Sequence, residues 1–232
     1  LDDYDIGWRD TVQFDPLTVM YIAVKPVVPV IPWQIPNSVR PLSPSDPINQ
    51  VAPAMMAIDT TGNPITNQLN ILTNFGYEYM IHCHLLGHEE NDMMRPMAVG
   101  VALVAPKALS AVKQTVQNGG GVKITWVDNS INETGFKVQR FNLVTGTWVD
   151  VASYRQAAST WSATTQTVTD ASISTGNSYF ATDTATLPAG NYQYRVIATD
   201  TIGMSSRNQG TFPTVVSKSD PSNIVYVTIP AA

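Results

Sequence analysis

The sequence predicts an all-β chain in two parts. Charged residues make up only 13% of the chain, whereas Thr, Ser, Asn and Val are frequent, a composition typical of exported β-rich proteins. From about residue 107 onward, short strand-like runs recur between glycine and asparagine turns, which is typical of a β-sandwich. With 232 residues, the chain can form one large domain or two ordinary ones.

The N-terminal region predicts two strands joined by a turn. Residues 7–14 and 19–24 are rich in aromatic and β-branched side chains, and Asp15-Pro16 between them favours a turn. Residues 26–64 then hold nine of the 16 prolines. Because proline removes a backbone donor, this stretch is predicted to be an extended insertion, neither a helix nor a central strand.

Regular structure is predicted again beyond the proline-rich stretch. Residues 75–84 and 97–104 favour strands, and Pro106 begins a linker. The later part predicts five further strands, at residues 121–126, 135–140, 146–151, 190–198 and 222–228. It contains no histidine or cysteine, so the candidate chemistry lies in the first part.

The candidate metal donors are clustered in seven residues. All three histidines and the single cysteine lie between His82 and His88, and one cysteine excludes a disulfide within the chain. Side chains alternate along a strand, so Cys83 is expected on one face, with His82 and His84 on the other. This pattern predicts two metal sites placed back to back.

Each predicted site has its own donors. A turn would return His88 to Cys83, and Met93 could lie above them as a weak axial ligand, which with a second histidine is the blue-copper arrangement. His82 and His84 would each bind another copper. Glu89 and Glu90 either form a solvated acidic turn, or one of them is a proton relay near that second cluster.

Other interpretations stay open for these residues. His84 and His88 could be half of a zinc site with Cys83 as a third ligand, although no second pair of ligands follows. The histidines could be core residues without a metal. Met93, like its neighbours, could pack in a core, which is the usual role of methionine.

The segment HCHLLGHEENDMMRPM at residues 82–97 resembles the last copper motif of multicopper oxidases. It is most similar to the branch of spore-coat laccases, bilirubin oxidases and manganese oxidases, and GWRDTV at residues 7–12 resembles a strand that precedes this motif there. The resemblance covers about residues 5–105 and implies a partial cupredoxin-like Greek-key barrel.

The resemblance also implies residue roles and copper as the cofactor. Type 1 copper would be bound by Cys83 and His88 with Met93 as axial ligand, and type 3 copper by His82 and His84, while Glu89 would deliver protons. The partner HxH and HPxHxH motifs of the family are missing from this chain. We therefore expect an N-terminal remainder of the oxidase to supply the other histidines, and expect the chain alone to be inactive.

The later part resembles a fibronectin type III domain. Trp126 matches the buried tryptophan of that fold, and the pattern Tyr194-Arg195-Val196 matches one of its later strands. The expected organisation is a cupredoxin part at residues 1–105 with the insertion at 26–64, followed by a fibronectin type III-like sandwich at 106–232.

The expected function is copper-dependent oxidation of a small reducing substrate, coupled to reduction of dioxygen to water. The alternatives are a non-catalytic binding or structural module and a copper carrier. The net charge of −5 without a basic cluster argues against a nucleic-acid partner, and no apolar run reaches the length of a membrane span. The composition favours a secreted, periplasmic or cell-surface protein.

Overall fold

A computed structural model describes residues 7, 9–25, 31–52, 63–64, 68–91, 93–115, 120–156, 159–170, 173–203 and 214–231. Its contacts divide the chain into two units, Leu1–Val30 and Ile31–Ala232. The predicted all-β class is confirmed: antiparallel sheets dominate, and one four-residue helix is present among the described residues. The sheets in the described ranges do not close into a barrel.

The first unit carries the predicted turn but not the predicted strands. The amide and hydroxyl of Thr18 both donate to the carbonyl of Asp15, which confirms the turn. Residues 9–25 contain no strand, so both strand predictions are wrong for the described residues. Their side chains are exposed, and no strand pairs with them in the ranges described, because β-structure needs a hydrogen-bonded neighbour as well as propensity.

The described part of the proline-rich stretch is mostly irregular, as predicted. Its one strand, β1 (Val39–Pro41), pairs antiparallel with β2 (Leu72–Asn74) in a two-stranded sheet. The final residue of β1 is itself a proline, consistent with the edge positions that proline tolerates in sheets. Residues 26–30 and 53–62 of this stretch lie outside the described residues.

The candidate metal donors lie on a β-hairpin. Strand β3 (Tyr77–His82) pairs antiparallel with β4 (Met94–Val99), in register from Tyr77 opposite Val99 to His82 opposite Met94. The connection contains the single helix α1 (Leu86–Glu89). Both strands were predicted, but the second begins and ends earlier than expected, since the chain leaves the ladder at Gly100.

The remaining strands form the predicted sandwich, except that β9 and β10 pair with each other in a separate two-stranded sheet. They are β5 (Lys107–Lys113), β6 (Val122–Val127), β7 (Gly135–Asn142), β8 (Thr147–Arg155), β9 (Thr160–Ser162), β10 (Thr167–Thr169), β11 (Ser178–Asp183), β12 (Gly190–Ile202), β13 (Val215–Lys218) and β14 (Val225–Ile229). One sheet has the order β11-β6-β5 and the other β13-β12-β7-β8, with β14 also on β12. All five predicted strands of this part are present.

Alternating side chains of the two sheets build the core. Trp126 on β6 is fully buried, as the sequence predicted, and its ring contacts that of Phe136 on β7 at 5.4 Å between centroids. Tyr194 on β12 is also buried, and its hydroxyl donates to Asp183. Leu103 belongs to this core although it precedes Pro106. Contacts group residues 31–232 into one unit, and the predicted domain limits at 105 and 106 stay a prediction.

Candidate metal centre

One turn of helix folds the donor segment back on itself. His82 ends β3, and the amides of His88 and Glu89 both donate to the carbonyl of Leu85, at 2.8 and 3.0 Å. This turn places two side chains from α1 beside the residues that end the strand. The turn thereby brings the donor atoms of residues five positions apart, Cys83 and His88, into contact.

Cys83 and His88 form the first donor group. The Sγ atom of Cys83 lies 3.3 Å from Nδ1 of His88, so the predicted pair is brought together. The amide of Leu85 donates to the same sulfur at 3.5 Å. The thiolate is the form of cysteine that binds metal.

His82, His84 and Glu89 form the second donor group. One ligand atom from each lies within 4.8 Å of those of the other two. The two imidazole centroids are 4.6 Å apart, and Nδ1 of His82 is 3.9 Å from Oε1 of Glu89. Neither Cys83 nor His88 belongs to this group. The donors therefore separate into two groups, as strand alternation predicts.

These residues fit a metal ion by two criteria. The Nδ1 atom of His82 is buried without a hydrogen-bond partner, although buried polar atoms are normally satisfied. The donor set of one group is a thiolate and an imidazole, and that of the other is two imidazoles and a carboxylate. Sulfur and imidazole suit copper, and imidazole with carboxylate suits several transition metals.

Met93 and Glu89 lie near the groups for which they were predicted. The amide of Met93 donates to the carbonyl of His88 at 3.1 Å, so the main chain returns this residue to the first group. Its side chain is more than half exposed. Glu89 was predicted as a proton relay beside the second group, and a carboxylate oxygen lies there within 4.8 Å of a nitrogen of each imidazole.

Exposed apolar side chains lie next to the donors along the chain. Four large hydrophobic side chains on β3, the connection and α1 are each more than half exposed: Met80, Ile81, Leu85 and Leu86. Met80 and Ile81 are consecutive residues of β3, so their side chains lie on opposite faces of that strand.

The sequence did not reveal how the hairpin is attached. Glu78 on β3 accepts from Arg40 and from Ser38, both at 2.7 Å. These partners are about 40 residues away in sequence, so no local pattern could have indicated the pairing. The ion pair connects β3, which leads into the candidate donors, to β1.

No protein-family model matches the sequence, and no curated protein matches it. The likeness to multicopper oxidases therefore depends on the motif residues themselves and on the geometry of the two donor groups. None of the described helices is long and apolar enough to cross a membrane.

Proposed function

We propose that this chain is the C-terminal portion of a multicopper oxidase. The observation that carries the proposal is the separation of the donors into a Cys83–His88 group and a His82–His84–Glu89 group on adjoining residues. Copper bound there would supply one-electron oxidation of a small reducing substrate and reduction of dioxygen to water.

The chain's own residues would bind and connect the two metal groups. The thiolate of Cys83 and Nδ1 of His88 would hold type 1 copper, with the thioether of Met93 as the axial ligand. The imidazoles of His82 and His84 would hold type 3 copper. The peptide bonds on either side of Cys83 join the groups by a short covalent path.

Glu89 would hold a proton beside the second group. Its carboxylate is 3.9 Å from the nearer nitrogen of His82 and is partly open to water. A carboxylate in that position can take a proton from solvent and pass it to a reduced oxygen species. This role requires that other ligands replace Glu89 in holding the metal.

The missing ligands point to a partner. A type 1 site needs a second histidine, and a trinuclear cluster needs several more than His82 and His84. The exposed apolar residues around the hairpin give an N-terminal remainder of the oxidase a surface on which to pack. An oxidase of this type would act outside the cytoplasm, as its composition favours.

A copper carrier is the second candidate, and the exposure of the donors favours it. His84, His88 and Met93 are all open to solvent, as transfer of an ion to another protein would require. A carrier would bind copper without consuming dioxygen. Oxygen uptake therefore distinguishes the two candidates.

Oxygen uptake by the assembled protein tests the proposal. The chain, tagged and isolated together with the polypeptide that supplies the other histidines, should be blue and should consume dioxygen with a phenol, a pigment or Mn²⁺ as reductant. Cys83→Ser should abolish both properties, because it removes the sulfur ligand. Tyr226→Phe, a change at an exposed position of β14, should preserve them. Uptake that survives Cys83→Ser, or a blue protein without uptake, would contradict the oxidase.

A further inference from the structure

A buried carboxylate joins the sandwich to the segment that carries the hairpin. Asp200 lies on β12 and is fully buried. Its Oδ1 atom accepts from Nδ2 of Asn74 at 2.8 Å and from Nδ2 of Asn37 at 3.1 Å. Its Oδ2 atom is buried without a hydrogen-bond partner. One side chain of the sandwich thus connects two segments that are distant in sequence.

Asn74 connects this carboxylate to the base of the hairpin. Besides Asp200, its Nδ2 atom donates to the carbonyl of Thr201, and its own carbonyl accepts from the amide of Gly203 at 2.7 Å. On the other side, its Oδ1 atom accepts from the amide of Gly76 at 2.8 Å. Strand β3 begins one residue later. Asn74 is therefore bonded both to β12 and to the residue from which the hairpin starts.

Asn37 provides a second connection. Its Nδ2 atom also donates to the carbonyl of Asn132, in the loop between β6 and β7, at 2.8 Å. The next residue, Ser38, donates from its amide to the carbonyl of Gly76 and from its hydroxyl to Glu78. Movement of the hairpin base would break bonds on both sides of this segment.

We propose that Asp200 is a positioning residue that latches the metal-bearing hairpin to the sandwich through Asn37 and Asn74. These three residues form the Asp200 latch. The sandwich would then support the hairpin and would not move as a separate module. The contacts of Asp200 do not depend on the copper chemistry. The proposed function gives them a consequence, which is that they orient the donors at the end of β3.

The latch is expected to respond to pH. Burial raises the pKa of Asp200 to about 6, hydrogen bonds from Asn37 and Asn74 oppose this, and the charge of Asp170 adds to it. Among the described residues, Asp170 is the ionisable group whose charge acts on Asp200. Once the latch opens, the carboxylate returns towards its ordinary pKa of 3.8. The closed latch therefore holds a proton that the open latch releases.

The direction of the pH dependence follows from the difference between these two pKa values. The free energy that Asp200 contributes to the closed latch through its raised pKa is fully present below pH 3.8. It is lost as the pH rises through 6. Between pH 5 and pH 7.5 the equilibrium constant for opening should rise about tenfold. The reason is that an ionised carboxylate with one unpaired oxygen is costly to keep buried.

Hydrogen exchange of the full chain tests the latch without any metal. After correction for the intrinsic pH dependence of exchange, amides of β3 and β4 should exchange about tenfold faster at pH 7.5 than at pH 5. Asp200→Asn keeps an acceptor but does not titrate, so it should remove this dependence. Asp200→Ala should raise hairpin exchange at both pH values and leave β7 unchanged. Asp220→Asn, at an exposed carboxylate, is the matched control and should behave as wild type.

Two outcomes would overturn the latch. One is a hairpin whose exchange is the same in Asp200→Ala and in wild type. The other is a change that spreads equally to β7, because Asp200 would then support the sandwich as a whole. Failure of copper-dependent oxygen uptake with normal exchange results would reject the proposed function alone, since the exchange experiment contains no metal.

Discussion

Asp128 and Glu133 are two fully buried carboxyl groups in the loop between β6 and β7. Nε2 of Gln156 donates to Oε1 of Glu133 at 2.6 Å, and the amide of Ser130 donates to Oδ1 of Asp128 at 3.0 Å. The second oxygen of each carboxyl group is buried and has no partner outside the pair, whose two side chains interact through a hydrogen bond. Burial, together with the charge of Asp128, raises the pKa of Glu133 to about 9. The pair is therefore expected to hold one proton at neutral pH.

Replacing Glu133 should change how stability depends on pH. The folded chain keeps the proton of Glu133 from its ordinary pKa of 4.5 up to about 9, whereas the unfolded chain releases it. Its contribution to the free energy of unfolding is thus present below pH 4.5 and lost as the pH rises through 9. Glu133→Gln should make the free energy of unfolding fall less steeply with rising pH. Urea unfolding at pH 5, 7 and 9 measures this.

Glu90→Gln, at an exposed carboxylate, should keep the wild-type decline and serves as the control. An equally steep decline in Glu133→Gln would show that the buried pair does not cause it.

At the residue scale, the sequence indicated the donor pairs better than it indicated the buried carboxyl groups. Strand alternation and one turn were enough to predict that Cys83 meets His88 and that His82 lies with His84. By contrast, Asn132-Glu133-Thr134 has the pattern of a glycosylation site, and nothing local indicates that Glu133 is buried. Asp200 was missed for the same reason, since its partners are more than 120 residues away.

At the element scale, the hairpin depends on a close approach at its base. Gly76 has a φ of +61°, and a Cβ atom there would lie 2.6 Å from the carbonyl oxygen of Val99. The backbone conformation and the contact both exclude a side chain. The turn into β3 therefore requires glycine.

Gly76→Ala should lower the free energy of unfolding by about 1–3 kcal/mol, because it combines a strained φ with a backbone clash. Gly87→Ala in α1 is the matched control: a Cβ atom there meets nothing within 4 Å, and alanine favours helix over glycine by roughly 0.5–1 kcal/mol. Urea unfolding of both variants measures the difference. Equal losses would contradict the role assigned to Gly76.

Strand predictions succeeded where long alternating runs lie between turns. Strands β6, β7, β8, β12 and β14 are of this kind. Strands β9 and β10 were missed because they have three residues each, too few to show a period. Strands β5 and β11 were also missed, although they have seven and six residues, so shortness does not account for every miss. Residues 9–25 show the opposite error, because propensity predicted strands for which the described chain provides no pairing partner.

At the scale of the whole molecule, we propose that the sandwich supports a hairpin whose donors form two candidate metal groups. Composition and turn spacing were sufficient to predict the all-β class and the sandwich. The attachment of the hairpin could not be predicted, because it depends on side chains of Asn37, Asn74 and Asp200 that meet only in the folded chain. The central claim is that the adjoining donors Cys83, His82 and His84 serve different metal ions.

Titration of the full chain with Co²⁺ tests this claim most directly, because a cobalt–thiolate bond gives an intense absorption band and does not oxidise the sulfur. Wild type should bind at two distinguishable sites, one of which gives the thiolate band. Cys83→Ser should lose the band and keep the other site, whereas the double variant His82→Ala/His84→Ala should keep the band and lose the other site. A single site that either variant abolishes would mean that these donors converge on one ion, and would contradict the account.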